Sequence, residues 1–168
     1  FPSYTVRNSV FPFLDERYQR KIFIEKQGMS KEEKQHLLQE FKNEKETGSL
    51  FCAVTAGSFG EGIDLPGDLL KGVIVVGLPL EKPSLEVKEV IDYYDMKFGK
   101  GMQYGYIFPA MIKTMQNAGR CIRSDQDKGV VIYLDERYIL PQYKSCFEDE
   151  PVEVTKDVIN KIDGFFKE

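Results

Sequence analysis

The chain has 168 residues, of which 42% are hydrophobic, and a formal net charge of -4 at pH 7. This length allows one substantial core and does not require two, so we predict a single domain over residues 1–168. No apolar run approaches the length of a membrane span, no signal peptide is visible, and an acidic chain has no general attraction for nucleic acid. Cys52, Cys121 and Cys146 are odd in number and far apart, which is typical of a reducing compartment and excludes a disulfide framework or a zinc motif.

The opening stretch FPSY is interpreted as the end of a strand. The hydroxyl of Ser3 could bond a backbone phosphate there, and the ring of Tyr4 could stack on a base. A strand that ends in Ser-Tyr is usually only a strand end. The stretch therefore carries little weight alone.

Four short runs rich in β-branched and aromatic residues predict strands at 21–26, 49–56, 72–80 and 129–136. Several are almost continuously apolar, as expected of strands buried on both faces of a parallel sheet. Helical patterns lie between them at 30–45, 84–98 and about 107–123, with a terminal helix at 155–168. This alternation predicts an α/β fold with a mostly parallel sheet flanked by helices on both faces.

Local signals refine these elements. Ser30 and Glu33 form a predicted capping box, followed by an apolar helix face of Leu37, Leu38 and Phe41. The terminal helix is expected to turn its apolar residues inward; these are Val158, Ile159 and Ile162. Three glycines within residues 99–105 predict a mobile loop.

The stretch TAGSFGEGIDLPG, residues 55–67, follows a predicted buried strand and contains four glycines. Such a turn at the carboxyl end of a parallel strand can present backbone N–H groups to a ligand. Glu61 and Asp64 add carboxylates that can take hydroxyls or position an arginine. An ordinary glycine-rich connection explains the stretch equally well.

The stretch QNAGRCIRSDQDKG, residues 116–129, places two arginines three positions apart. On a helix, Gln116, Arg120 and Arg123 fall within a sector of about 60°. Gly119 beside them lowers helix propensity, which suits close approach of a ligand to the backbone, and two guanidinium groups suit a terminal phosphate. The apolar surface opposite is predicted from Phe108, Met111, Ile112, Met115 and Ile122. The alternative is a solvated helix end whose arginines pair with Asp125 or Asp127.

In order and spacing, these stretches resemble the second motor domain of superfamily 2 DNA helicases of the XPD/DinG type. FPSY is similar to motif IV, TAGSFGEGIDLPG to motif V, and QNAGRCIR to motif VI, Q-x-x-G-R-x-x-R. DKGVVIYLDERY resembles the strand that follows motif VI. The segment EVIDYYDMKFG and the helix before Gln116 favour the XPD branch over the DinG branch. The resemblance implies a three-layer RecA-like fold.

The resemblance also implies roles for individual residues. Arg123 corresponds to the arginine finger on the γ-phosphate, with Arg120 beside it and Gln116 placing the nucleotide. Asp64 would face the nucleotide, Glu61 and Gly62 would belong to the loop that couples ATP to DNA, and Gly119 would lie at the nucleotide side. The candidates for contact with the single-strand backbone are Ser3, Tyr4, Thr55 and Gly57.

Neither a Walker A motif nor a D-E-A-H type metal-binding stretch occurs in the sequence. The resemblance therefore implies that ATP and Mg²⁺ are bound mainly by a first motor domain absent from this chain, and that the chain is a fragment, inactive alone. A family iron-sulfur cluster would also belong to the full-length protein. The implied setting is DNA repair with 5' to 3' unwinding, in the cytoplasm at the nucleoid or in a nucleus, with no membrane partner.

Two other functions remain open. The chain could be a RecA-like module that binds single strands or a protein and hydrolyses nothing, which the missing Walker motif favours and the two motif VI arginines oppose. It could also belong to a DinG-like enzyme with an attached nuclease, which no residue in the chain addresses.

Overall fold

The computed structural model describes residues 1–59, 69–122, 127–147 and 152–167. All four predicted strands are present, and they are shorter than the apolar runs. They are β1 (Ile22–Ile24), β2 (Leu50–Cys52), β3 (Gly72–Val76) and β4 (Val130–Leu134). The helices are α1 (Tyr4–Arg17), α2 (Lys31–Asn43), α3 (Leu85–Phe98), α4 (Phe108–Ala118), α5 (Pro141–Lys144) and α6 (Val158–Lys167), with short 3-10 turns at Glu136–Ile139 and Ser145–Phe147.

In the described part of the chain the strands form two parallel ladders, β1 with β2 and β3 with β4. The opening residues lie between the ladders. The nitrogen of Phe1 donates to Ala53 O at 3.0 Å, and Thr55 N donates to Phe1 O at 2.8 Å. Pro2 lies beside Gly77, just after β3. The parallel direction is confirmed, and the carboxyl ends of β2 and β3 are brought together by Phe1 and Pro2.

Each ladder has its own apolar cluster. Phe23 of β1 and Phe41 of α2 are buried together, with Leu37 and Leu38 packed against them, so the predicted inner face of α2 is confirmed. The capping box is also present, because Ser30 Oγ accepts from Glu33 N at 3.2 Å and the Glu33 carboxylate accepts from Ser30 N at 2.7 Å. The second cluster packs against Tyr133 of β4; its buried members are Leu78, Ile107, Met111, Tyr138, Tyr143 and Phe147.

The segment after β4 ties the two strands of the second ladder at their ends. Asp135 accepts from the Arg137 backbone N at 2.9 Å and from its guanidinium at 2.8 and 2.6 Å, and these hydrogen bonds hold the pKa of Asp135 below its ordinary value. Buried Tyr138 donates its hydroxyl to Gly77 O at 2.9 Å. The D-x-R-Y run, residues 135–138, therefore links the end of β4 to the end of β3.

The prediction that FPSY ends a strand is wrong at Ser3 and Tyr4. Ser3 is the N-cap of α1, its Oγ accepting from Val6 N at 3.2 Å, and Tyr4 is the first helical residue. Ser in an extended conformation before a helix satisfies an N–H group that has no partner within the helix. The capping role explains Ser3 without any ligand.

The predicted mobile loop at 99–105 is also wrong. Gly99 ends α3 in the left-handed conformation, and the chain then re-enters a helix whose turn at Gln103–Ile107 has π geometry. A Cβ on Gly105 would lie 2.9 Å from Ile91 Cα, and one on Gly101 would lie 2.8 Å from Asp95 Cβ. These glycines allow two helices to pack in close contact, so glycine is required here for packing and not for mobility.

We therefore expect Gly101→Ala to lower the free energy of unfolding by about 1–3 kcal/mol, because the added methyl group overpacks a closed contact. Gly164→Ala in α6 is the matched control. A Cβ at Gly164 would meet nothing within 4 Å, so the helix should gain up to about 1 kcal/mol there. Urea unfolding followed by circular dichroism measures both, and a Gly101→Ala midpoint at or above the wild-type value would contradict the packing role.

The terminal helix is present as α6, but its predicted orientation is wrong for Ile159, which is 75% exposed. Val158 and Ile162 are half-buried, and no residue of α6 is buried. Helical periodicity identifies an apolar face and does not supply the surface that would cover it.

Candidate functional site

An open cleft of about 330 Å³ lies between the turn after β2 and the last turns of α4. The β2 side contributes Thr55, Ala56, Gly57 and Ser58, and the helix side contributes Lys113, Gln116 and Asn117. The turn lies at the carboxyl end of a parallel strand, where open α/β sheets bind ligands. The structure thus brings Thr55 and Gly57 of the first predicted stretch together with Gln116 of the second.

A buried carboxylate shapes the turn. Glu25, which follows β1, is wholly buried, and its side chain accepts hydrogen bonds from the Tyr4 hydroxyl at 2.9 Å, from Val54 N at 2.8 Å and from Ser58 N. These bonds join the start of α1, the end of β1 and the turn. Sequence reasoning missed Glu25, since one acid after a short strand carries no local signal.

The structure gives a packing reason for glycine at position 57 that could not be seen in the sequence. A Cβ at this position would overlap the Glu25 carboxylate, lying 2.7 Å from its Cδ, and the Gly57 N–H donates to Val54 O at 2.8 Å. The missing side chain therefore makes room for Glu25, and the backbone donor is already used within the turn. A contact from Gly57 to a DNA strand stays a prediction.

Tyr4 and Arg7 complete this buried cluster. The Arg7 guanidinium is buried, lies 5.1 Å from the centre of the Tyr4 ring and donates to the Glu25 backbone carbonyl. Burial, with the Glu25 hydrogen bond second, raises the pKa of Tyr4. The hydroxyl of Tyr4 thus donates to Glu25 within the protein, and its contact with DNA stays a prediction.

Thr55 is placed better for a ligand. Its N–H and hydroxyl both donate to Phe1 O, at 2.8 and 3.2 Å, so the side chain is oriented by the backbone while its hydroxyl oxygen can still accept. It lines the cleft. Of the four residues predicted to contact a DNA strand, Thr55 is the one whose side chain both lines the cleft and is held in a fixed direction.

The predicted helix through Arg123 is shorter than expected. It ends at Ala118, with Gly119 as C-cap at φ -64° and ψ 1°. Helical periodicity therefore does not place Arg120 in one sector with Gln116. A Cβ on Gly119 would meet only Met115 O, at 3.4 Å, so Gly119 marks the helix end. Arg120 follows in the turn and is half-buried.

The apolar face predicted opposite is only partly confirmed. Met111 is 1% exposed, whereas Ile112 is 53% and Ile122 47% exposed, and Phe108 lies near the surface as well. The buried side of α4 instead includes Thr114, whose hydroxyl donates to Ala110 O at 2.9 Å. A hydroxyl that bonds its own helix can be buried at little cost.

Four predicted site residues lie outside the described residues: Glu61, Gly62, Asp64 and Arg123.

The groups that line the cleft are two hydroxyls (Thr55 and Ser58), two side-chain amides (Gln116 and Asn117) and the ammonium group of Lys113. The Ser58 hydroxyl and the two amide groups can donate to phosphate oxygens beside the Lys113 ammonium group, whereas the Thr55 hydroxyl already donates to Phe1 O. Lys113 was also missed from the sequence, although it lies three positions before Gln116 on the same helix face. In the residues that the structure describes, no group of three or more His, Cys, Asp or Glu side chains could hold a metal ion.

Parallel strands with such a cleft at the carboxyl end of a strand are typical of α/β domains that bind nucleotides or nucleic acids. The chain belongs to the helicase C-terminal domain family, whose model matches residues 1–151. It is similar to the ATP-dependent DNA helicase DinG of Photobacterium profundum, with 35% identity over 70% of this chain, and to the ATP-dependent DNA helicase YoaA of Haemophilus influenzae, with 33% identity over 86% of this chain.

The chain spans 17% and 22% of the lengths of these two relatives. A solved apo-XPD structure superposes with a TM-score of 0.66 and 25% identity, covering 88% of this chain and 29% of that one. The predicted RecA-like α/β fold and the XPD/DinG-type resemblance are thereby confirmed. DinG-type names among the relatives and XPD among the structures leave the preference for the XPD branch a prediction. None of the described helices is long and apolar enough to span a membrane.

Proposed function

We propose that this chain is the second motor domain of an ATP-dependent DNA helicase of the XPD/DinG type, which works against a first motor domain of the same polypeptide. One observation carries the proposal: the turn that resembles motif V and the helix that resembles motif VI line the same cleft. In a motor protein, such a shared cleft can couple a nucleotide-dependent movement of the helix to a DNA strand that is bound at the turn.

In this proposal Arg123 is the arginine finger, Arg120 supports it, and Gln116 places the nucleotide next to the cleft. Thr55 and Gly57 are the proposed contacts with the backbone of single-stranded DNA, while Tyr4 holds the turn in shape through Glu25 and Ser3 caps α1. Asp64 faces the nucleotide, Glu61 and Gly62 belong to the loop that couples the nucleotide to DNA, and Gly119 ends the helix at the nucleotide side.

ATP with Mg²⁺ is the proposed cofactor. Ser58, Gln116 and Asn117 offer hydroxyl and amide donors that fit phosphate oxygens, whereas no carboxylate lines the cleft in the described residues. The metal ligands are therefore assigned to the first motor domain, as is any iron-sulfur cluster. When bound, the nucleotide supplies the phosphoryl group whose hydrolysis drives movement. This chain's residues bind and orient that group, and they exclude water as the domains close.

A role in DNA repair, with 5' to 3' movement along one strand at the nucleoid or in a nucleus, is part of the proposal and rests on the family resemblance. These features depend on partner domains and complexes, and the residues of the cleft do not determine them.

ATP turnover of the full-length protein, with and without single-stranded DNA, tests the function. We expect DNA to stimulate hydrolysis, and Gln116→Ala to reduce the stimulated rate by up to about 10²-fold, because a misplaced reactant costs that much. Gln35→Ala is the matched control, since Gln35 is exposed on α2 and does not line the cleft. A wild-type protein that binds single strands without hydrolysing ATP would establish the non-hydrolysing module instead.

A further inference from the structure

Lys113 is the one cation that lines the cleft in the described part of the chain, and it is held by a carboxylate from another element. Its Nζ lies 2.8 Å from Glu81 Oε1, and the two side chains are 40% and 55% exposed. Glu81 belongs to the segment between β3 and α3, so the pair joins two elements that are 32 positions apart in sequence.

The position of Glu81 does not depend on this ion pair. Its backbone carbonyl accepts a hydrogen bond from the Tyr106 hydroxyl at 2.9 Å, which already ties the segment to the helical turn before α4. The carboxylate also borders a second, smaller cleft with Glu86 and Ser84. The Glu81 backbone is thus held without Lys113, and its carboxylate reaches the first cleft only through Lys113, so a structural need for this ion pair is weak.

An ion pair this exposed contributes little to stability and exchanges readily for another partner. The ammonium group of lysine sits on a flexible stem and can turn from a carboxylate towards a phosphate oxygen. A carboxylate close by opposes that exchange, because it attracts the same ammonium and repels an incoming phosphate. Lys113 and Glu81 therefore have opposite effects on the affinity for an anion in the cleft.

We propose that Lys113 is a phosphate-binding residue of this cleft and that Glu81 is its resident counter-ion, which competes with the phosphate and sets its affinity. The inference rests on the proposed function and deepens it, since it assigns a cation to the cleft. The shared chemistry is a phosphate group, supplied either by the backbone of a DNA strand or by a nucleotide.

The test uses the full-length protein with Lys113→Gln, Glu81→Gln and both changes together. Affinity for a fluorescein-labelled oligothymidine is measured by anisotropy over a series of salt concentrations. We expect Lys113→Gln to weaken binding about fivefold and to lower the slope of log affinity against log salt by about 0.7, the contribution of one phosphate contact on a single strand. Glu81→Gln should strengthen binding by a similar factor, and it should strengthen binding less when Lys113 is also changed, because only the repulsion between Glu81 and the phosphate is then removed.

Lys161 and Glu153 supply a matched control pair, with Nζ and Oε1 2.7 Å apart and side chains 48% and 66% exposed, and neither lines the cleft. Their glutamine variants should bind like the wild type. Opposite shifts for Lys113→Gln and Glu81→Gln in the KM for ATP, with oligothymidine affinity unchanged, would support the proposal with the nucleotide as the source of the phosphate.

Weaker binding in both single variants would overturn the proposal, because it would mean that the pair only supports the fold. Wild-type values for both ligands in Lys113→Gln would also overturn it. The proposed function fails separately if the wild-type protein shows no DNA-stimulated ATP hydrolysis. Oligothymidine binding still decides the role of Lys113 in that case, and a wild type that binds neither ligand overturns both.

Discussion

Arg123→Ala in the full-length protein is expected to lower DNA-stimulated ATP hydrolysis by about 10³ to 10⁵-fold, with little change in ATP binding. An arginine finger stabilises the charge that develops on the phosphoryl group during transfer, so its removal acts on the rate and not on ground-state binding. Steady-state turnover and equilibrium binding of a fluorescent ATP analogue separate the two effects.

Arg17→Ala is the matched control, because Arg17 is an exposed arginine in the last turn of α1 and is not part of the cleft. Arg123→Lys should restore little of the rate, since an ammonium group cannot reproduce the planar fork of guanidinium donors. Turnover close to the wild-type rate in Arg123→Ala would remove the finger assignment and leave Arg120 as the next candidate.

Glu25→Ala is expected to lower the free energy of unfolding by about 3 kcal/mol or more, because three donors lose one acceptor inside the protein. This is a large part of the roughly 5–15 kcal/mol that stabilises a typical domain. Urea unfolding measures the loss. Hydrogen exchange should show faster exchange at Val54 and Ser58, whose amides donate to the carboxylate.

Tyr4→Phe removes only one of these donors, so its effect should be clearly smaller than that of Glu25→Ala. Glu46→Ala, at an exposed acid, is the control and should lie within about 0.5 kcal/mol of the wild type. If Glu25→Ala unfolds at the wild-type urea concentration, the carboxylate does not organise the turn, and the structural explanation for Gly57 fails with it.

Features that depend on neighbouring residues could be predicted from the sequence. The four strands, the capping box of Ser30 and Glu33, and the apolar face of α2 follow from hydrophobic spacing and short-range hydrogen bonds. The alternation of strands and helices also determined the parallel direction of both ladders. The motif order determined the family, because two motifs in sequence are far more specific than either alone.

Glycine was the residue that the sequence explained least well. Gly101 and Gly105 suggested mobility, whereas each makes room for a neighbouring helix; Gly57 suggested ligand approach, and it also makes room for the Glu25 side chain. Gly119 suggested close approach of a ligand to the backbone, and the structure shows that it ends α4. A glycine permits both open and crowded surroundings, and only the coordinates of its neighbours decide between them.

The sequence by itself thus determined the strands, their parallel direction, the family and Gln116 as a cleft residue. The tertiary structure alone decided the arrangement around that residue. Tyr4 and Glu25 are 21 positions apart, Glu25 and Ser58 33, and Glu81 and Lys113 32, and each pair meets through a hydrogen bond. Contacts over such separations depend on how strands and helices pack, and the local propensities of the residues do not predict them.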